Sequence, residues 1–277
     1  MHSTLLRNFA ARTGAAALVS LGLIAGFAGV PANAATATIV GAPPITYTVL
    51  GDSYSAGSGG GGEVGACGQS PNGYGNDVAA ATGATLTNLA CAGFTTDQVR
   101  TLEVPLMAAD TKLVTLTVGG NDVGWTTAVT ACLQTSSTSP ACKSAVSNAL
   151  YQMTQLPKRI TALMKAIKAK APGARVLFLG YPRLFEPANM AAAGFTADQI
   201  SGAKTLNGAA DLLNGVIAFS AVSNRAAFVP VAWIFSGHGF PSASPWLNYP
   251  GGPNPYTFHP NATGYQSGYA VAVQAFL

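Results

Sequence analysis

Runs of β-branched and apolar residues that stop at a glycine, alternating with long stretches of helical period, constrain this chain more than any other feature. Residues 46–50 stop at Gly51, 112–118 at Gly119 and 175–179 at Gly180. Such runs are expected as strands buried in a sheet. Further short strands are expected at 84–89 and 227–231. Between them, Val146, Leu150, Met153, Ile160, Leu163 and Ile167 recur at three- and four-residue steps, predicting a helix over 141–171 that Pro157 should kink or interrupt. Thr95 with Gln98 and Thr196 with Gln199 have the spacing of capping boxes, so helices are expected to begin there, the second running to about residue 223. A last helix is expected over 263–276. Strand alternating with helix predicts one α/β domain, a three-layer sandwich around a mainly parallel sheet of about five strands. In such sheets ligands sit beyond the carboxyl ends of the strands, where Ser53 and Asn121 both fall.

Residues 1–34 carry Arg7 and Arg12, an apolar run over 15–30 and the small-residue stretch Ala32-Asn33-Ala34. That is the pattern of a secretory signal peptide, leaving 35–277 as the folded domain. The apolar run, about 16 residues, is short for a bilayer span of about 20, so a secreted, extracellular protein with no membrane span is expected. Lys and Arg number 14 against 10 Asp and Glu, and two of the arginines lie in the leader. The remainder is near neutral and lacks the dense basic patch that nucleic-acid binding needs.

Export makes disulfides the leading expectation for Cys67, Cys91, Cys132 and Cys142. Of the three pairings, 67 with 91 and 132 with 142 are favoured because each closes a moderate loop. No C-x-x-C pair occurs, and only His238 and His259 lie outside the leader, so no metal is expected. Gly57-Ser58-Gly59-Gly60-Gly61-Gly62 formally satisfies G-x-G-x-x-G, but no helical period opens on it, and a mobile loop beside a site is expected instead of a dinucleotide cradle.

Four separated pieces carry the chemistry. Gly51-Asp52-Ser53-Tyr54-Ser55-Ala56-Gly57, Ala90-Cys91-Ala92-Gly93, Gly119-Gly120-Asn121-Asp122 and His259-Pro260-Asn261 stand in this order along the chain. Together they resemble the SGNH, or GDSL-type, hydrolases, secreted bacterial esterases and lipases in particular. The resemblance implies a flavodoxin-like fold, Ser53 as nucleophile, His259 as its base, and an oxyanion hole made by the N–H groups of Ser53 and Gly93 with the amide of Asn121. It implies no cofactor, and an ester or lipid as substrate. The chemistry is independent of the resemblance: a serine hydroxyl needs an imidazole to take its proton, and the oxyanion needs fixed donors.

Members of that family often carry an aspartate three residues before the histidine. Here that position is Tyr256, and the last carboxylate in the chain is Asp211. A Ser53/His259 dyad is therefore expected, with a backbone carbonyl, that of Tyr256, holding the imidazole Nδ1 proton. Asp52 and Asp122 are expected to brace their own turns, and His238 to be a loop residue. Trp233, Ile234, Phe235, Phe240, Trp246, Leu247 and Tyr249 either line an acyl groove or pack their own loop. The resulting expectation is a monomeric carboxylic-ester hydrolase. A carbohydrate O-acetyl esterase, a phospholipase and a non-catalytic binding module are the alternatives.

Overall fold

The computed structural model describes residues 44–134, 136–252 and 254–277. The signal peptide expected at 1–34 lies outside the described residues. The elements run β1 (Thr46–Gly51), α1 (Ser53–Ala56), α2 (Tyr74–Thr82), β2 (Thr85–Asn88), α3 (Thr96–Gln98), β3 (Leu113–Thr117), α4 (Trp125–Gln134), α5 (Pro140–Lys170), β4 (Arg175–Leu179), α6 (Pro187–Met190), α7 (Ala197–Ser223), β5 (Ala227–Val229) and α8 (Val271–Gln274). A π-helical turn, Gly264–Ala270, leads into α8, and another, Val99–Glu103, follows α3.

The five strands form one sheet in the order β2-β1-β3-β4-β5, every pairing parallel. β1 and β3 are buried almost throughout, as a sheet covered on both faces requires. α4, α5 and α7 pack on one another, while α2 packs on the C-terminal helix, giving the two outer layers. Leu50, Leu116 and Phe178 are fully buried. Each such side chain contributes about 1.5–3 kcal/mol through removal from water.

The local chemistry of the helix starts is as expected. Thr95 and Thr196 each accept the N–H of the residue three positions on, while Gln98 and Gln199 reach back to the cap. α5 starts on Ser139 with Pro140 in its first turn, and it runs on through Pro157 without interruption. The proline removes one N–H donor, but Leu156 and Ile160 on either side are fully buried, and that packing holds the helix together.

The order 2-1-3-4-5 reverses direction between β1 and β3. Ser53 follows β1 and Asn121 follows β3, so the crevice opened by the reversal lies between them. Beneath it runs a chain of buried hydroxyls, Tyr47 to Thr115 to Tyr74 to Ser55 to Thr117, that ends on the Asp52 carboxylate. Both disulfides form as expected: Cys67–Cys91 ties the loop after α1 to the segment after β2, and Cys132–Cys142 ties α4 to α5.

Candidate active site

β1 ends at Gly51, and Asp52 caps the single turn α1 by accepting the Tyr54 N–H at 3.1 Å. The cap presents Ser53 at the top of the sheet, half-buried, with its Oγ 2.8 Å from His259 Nε2. His259 comes from 206 positions away and has three separate anchors. Tyr54 Oη donates to the Phe258 carbonyl at 2.7 Å, Asn248 N donates to the His259 carbonyl at 2.8 Å, and the Tyr54 ring lies 5.1 Å from the imidazole. Phe258 has φ +64°, a conformation that bulky side chains rarely adopt. Tyr54 and Asn248 hold it there, and the strain directs His259 toward Ser53.

The Nδ1 side of the imidazole corrects the expectation about Tyr256. Nδ1 lies 3.2 Å from the Thr257 carbonyl, two residues back. The Tyr256 carbonyl accepts the His259 backbone N–H at 3.1 Å, and its influence on the imidazole is second to that of Thr257. With Phe258 left-handed, the turn at 256–259 leaves the Thr257 carbonyl within reach of Nδ1. Burial lowers the His259 pKa, opposed by these carbonyls and then by the charge of Glu63. The imidazole is therefore neutral and able to accept a proton at neutral pH.

Gly93 has φ +84°, and no protein atom lies within 4 Å of where a Cβ would stand. The left-handed backbone conformation accounts for glycine there, and no steric crowding does. Asn121 lines the same cavity as Ser53 and His259, and its Nδ2 donates to the Phe94 carbonyl at 2.9 Å. That bond fixes the amide plane and links Asn121 to the segment carrying Gly93, leaving a second amide N–H for a ligand.

Asp52 and Asp122 serve larger structures than their own turns. Asp52 Oδ1 accepts Thr117 Oγ1 at 2.7 Å, Oδ2 accepts Tyr181 Oη, and burial pushes its pKa up to about 6. Asp122 accepts both the N–H and the hydroxyl of Thr96, at 2.9 and 2.6 Å, clamping α3 to the turn after β3. Neither is hydrogen-bonded to His259. Glu103 is buried beneath Gly51, whose N–H it accepts at 2.7 Å, and burial raises it to about 8. Tyr54 lies within the Gly51–Gly57 motif but carries no signal of its contact with the His259 segment, and nothing in the sequence around Glu103 or Tyr181 distinguishes them from ordinary core and helix residues.

A cavity of about 210 Å³ opens beside Ser53, walled by Trp125 and Val129 of α4, Ala210 and Leu213 of α7, and by Leu184 and Phe258. The aromatics of 233–249 do not line it. Phe235 packs on Trp246 and Tyr269, Phe240 stacks on Tyr249, and Leu247 is buried, so that stretch packs its own loop, Trp233 remaining exposed. His238 stacks on Trp246 within the same loop. The glycine-rich loop, expected as a mobile loop beside a site, does lie beside it and is tied down by hydrogen bonds. Glu63 accepts the N–H groups of Gly59 and Gly61, and Asn248 and Asn254 both donate to the Gly59 carbonyl, fixing it to the His259 segment. Among the described residues, no group of three or more His, Cys, Asp or Glu side chains could hold a metal.

A serine and a neutral imidazole in contact at the carboxyl edge of a doubly wound sheet, beside an apolar cavity, have the form of a serine-dependent hydrolase. Residues 49–267 match the GDSL-like Lipase/Acylhydrolase family. A lipase of Streptomyces rimosus is 34% identical over 227 residues, 80% of this chain and 83% of that protein. Among solved structures, an extracellular lipase from Streptomyces rimosus matches with TM-score 0.75 and 33% identity, covering 83% of this chain and 99% of the other. A phospholipase A1 from Streptomyces albidoflavus NA297 matches with TM-score 0.76 and 34% identity over 84% of this chain and 99% of the other. The chain belongs to the GDSL-like lipase/acylhydrolase family, and it is a carboxylic-ester hydrolase.

Proposed function

We propose that the chain is a secreted, monomeric esterase or lipase that works through an acyl-enzyme on Ser53. His259 takes the Ser53 proton as Oγ attacks the ester carbonyl, and the Thr257 carbonyl holds the imidazole in the tautomer that leaves Nε2 free. The oxyanion is received by the N–H groups of Ser53 and Gly93 and the amide of Asn121; by analogy with measured cases, one such donor contributes about 2.7–4 kcal/mol to the transition state. His259 then protonates the departing alcohol, and water, activated by the same imidazole, releases the acid.

The observation that carries this reading is the 2.8 Å contact between Ser53 Oγ and His259 Nε2. The acyl chain is assigned to the cavity between α4 and α7, whose apolar walls suit an uncharged chain longer than acetyl. The names borne by its relatives, lipase and phospholipase A1, point to acylglycerol lipids as the substrate class. Residues 1–34 are assigned as the signal peptide, with the mature chain starting at Ala35. Replacing Ser53 by Ala is expected to abolish turnover of a nitrophenyl ester while the far-ultraviolet spectrum stays unchanged. Retained turnover would refute the assignment.

A further inference from the structure

The mechanism leaves one buried hydroxyl at the site unused. Tyr181 follows β4, is 8% exposed, and has its backbone N–H and carbonyl both paired with the Asn214 side chain of α7 at 2.8 Å. Its Oη donates to Asp52 Oδ2 and accepts the N–H of Gly120 at 3.2 Å. Asp52 directly precedes Ser53, and Gly120 directly precedes Asn121. One hydroxyl thus bridges the two turns that present the nucleophile and the side-chain oxyanion donor.

Among the described residues, no other hydrogen bond joins those two turns through a side chain outside both. Thr117 also binds Asp52, but it lies at the end of β3 and makes no bond to Gly120 or Asn121. The ring of Tyr181 packs edge-on against Tyr54, 5.3 Å between centroids, and Tyr54 in turn holds the Phe258 carbonyl beside His259. The same ring forms part of the cavity wall.

We propose that Tyr181 is a positioning residue whose hydroxyl sets the spacing between Ser53 and Asn121. It does so by holding the Asp52 carboxylate and the Gly120 N–H on one oxygen. The ring serves the cavity and the hydroxyl serves the geometry of the transition state, so the two contributions separate. Removing the hydroxyl leaves a buried acceptor on Asp52 and a part-buried donor on Gly120 unpaired, and both turns are free to relax. A shift well below 1 Å in the oxyanion donor acts on kcat, whereas substrate binding along the cavity is untouched. The proposal rests on the roles assigned above to Ser53 and Asn121, which Ser53→Ala and Asn121→Ala test separately in the same assay.

The test is a steady-state comparison of wild type, Tyr181→Phe, Asn121→Ala and the double variant on nitrophenyl octanoate at 25 °C, with folding verified by circular dichroism. Tyr181→Phe is expected to lower kcat about ten-fold or more with KM within two-fold. The double variant should lose much less than the product of the two single losses, because the bridge acts through Asn121. A folded Tyr181→Phe protein with wild-type kcat, a loss expressed in KM alone, or losses that simply multiply would overturn the proposal. If the phenylalanine variant does not fold, 4-aminophenylalanine at position 181 keeps a donor to Asp52 but offers Gly120 only a poor acceptor. Its kcat is then expected to fall at unchanged KM, and a wild-type kcat would overturn the proposal. Wild-type kcat in Asn121→Ala would instead count against the oxyanion assignment itself.

Discussion

Gly59 shows how closely the site is fitted at the level of single residues. It has φ +95°, and a Cβ there would stand 2.7 Å from the Pro260 carbonyl oxygen and 2.9 Å from His259 Cβ. The sequence offers Gly59 only as one glycine in a rich run. Its close approach to a residue two hundred positions away depends on the folded loop. Gly59→Ala is expected to displace the His259 segment and lower kcat by about ten-fold or more, since a misplacement of about 1 Å can cost a hundred-fold. KM should change little, and steady-state kinetics on a short nitrophenyl ester checks both. The correction from Tyr256 to Thr257 belongs at the same scale. The absence of an acid before His259 was legible in the sequence, but the choice between neighbouring carbonyls is made by the left-handed Phe258.

At the level of elements, the strands that stop at glycine and the two capping boxes were legible because each is a local pattern with a local cause. The cavity beside Ser53 was not, because its walls come from α4, α7 and the His259 loop. Trp125, Val129, Ala210 and Leu213 look like ordinary helix-face residues until the sheet brings the helices together. The aromatic-rich stretch 233–249 signalled burial correctly, but what it buries is its own loop. With the acyl chain in this cavity, as proposed, Ala210 is a control on acyl length. Ala210→Leu places about three more carbons against the wall, and at about 0.8 kcal/mol per methylene lost from the substrate's side it should lower the octanoate-to-acetate ratio of kcat/KM roughly ten-fold or more. A chain-length series of nitrophenyl esters measures this, and an unchanged ratio would place the chain elsewhere.

Across the whole molecule, the reversal of strand order between β1 and β3 brings four sequence-distant motifs to one edge, and two carboxyl groups are buried beneath them. Glu103, at about 8, and Asp52, at about 6, both titrate above their usual values because burial disfavours the carboxylate. The native state therefore holds more protons than the unfolded chain, and these two groups lower stability as pH rises, Glu103 between about 4.5 and 8 and Asp52 between about 3.8 and 6. His259, lowered by burial, acts in the opposite direction and lowers stability as pH falls below 6.5. Glu103→Gln keeps an acceptor for the Gly51 N–H and removes the ionisation. Its melting temperature relative to wild type is expected to rise from pH 5 to pH 8.5, and a difference constant with pH would contradict the assignment. The central claim, that Ser53 is a nucleophile activated by a histidine without a carboxylate partner, meets its most direct test in covalent labelling. A fluorophosphonate should modify Ser53 alone, as read by peptide mass spectrometry. The labelling rate should fall at least a hundred-fold in His259→Ala and change little in Asp122→Asn. Label on another residue, or undiminished labelling without His259, would contradict the account.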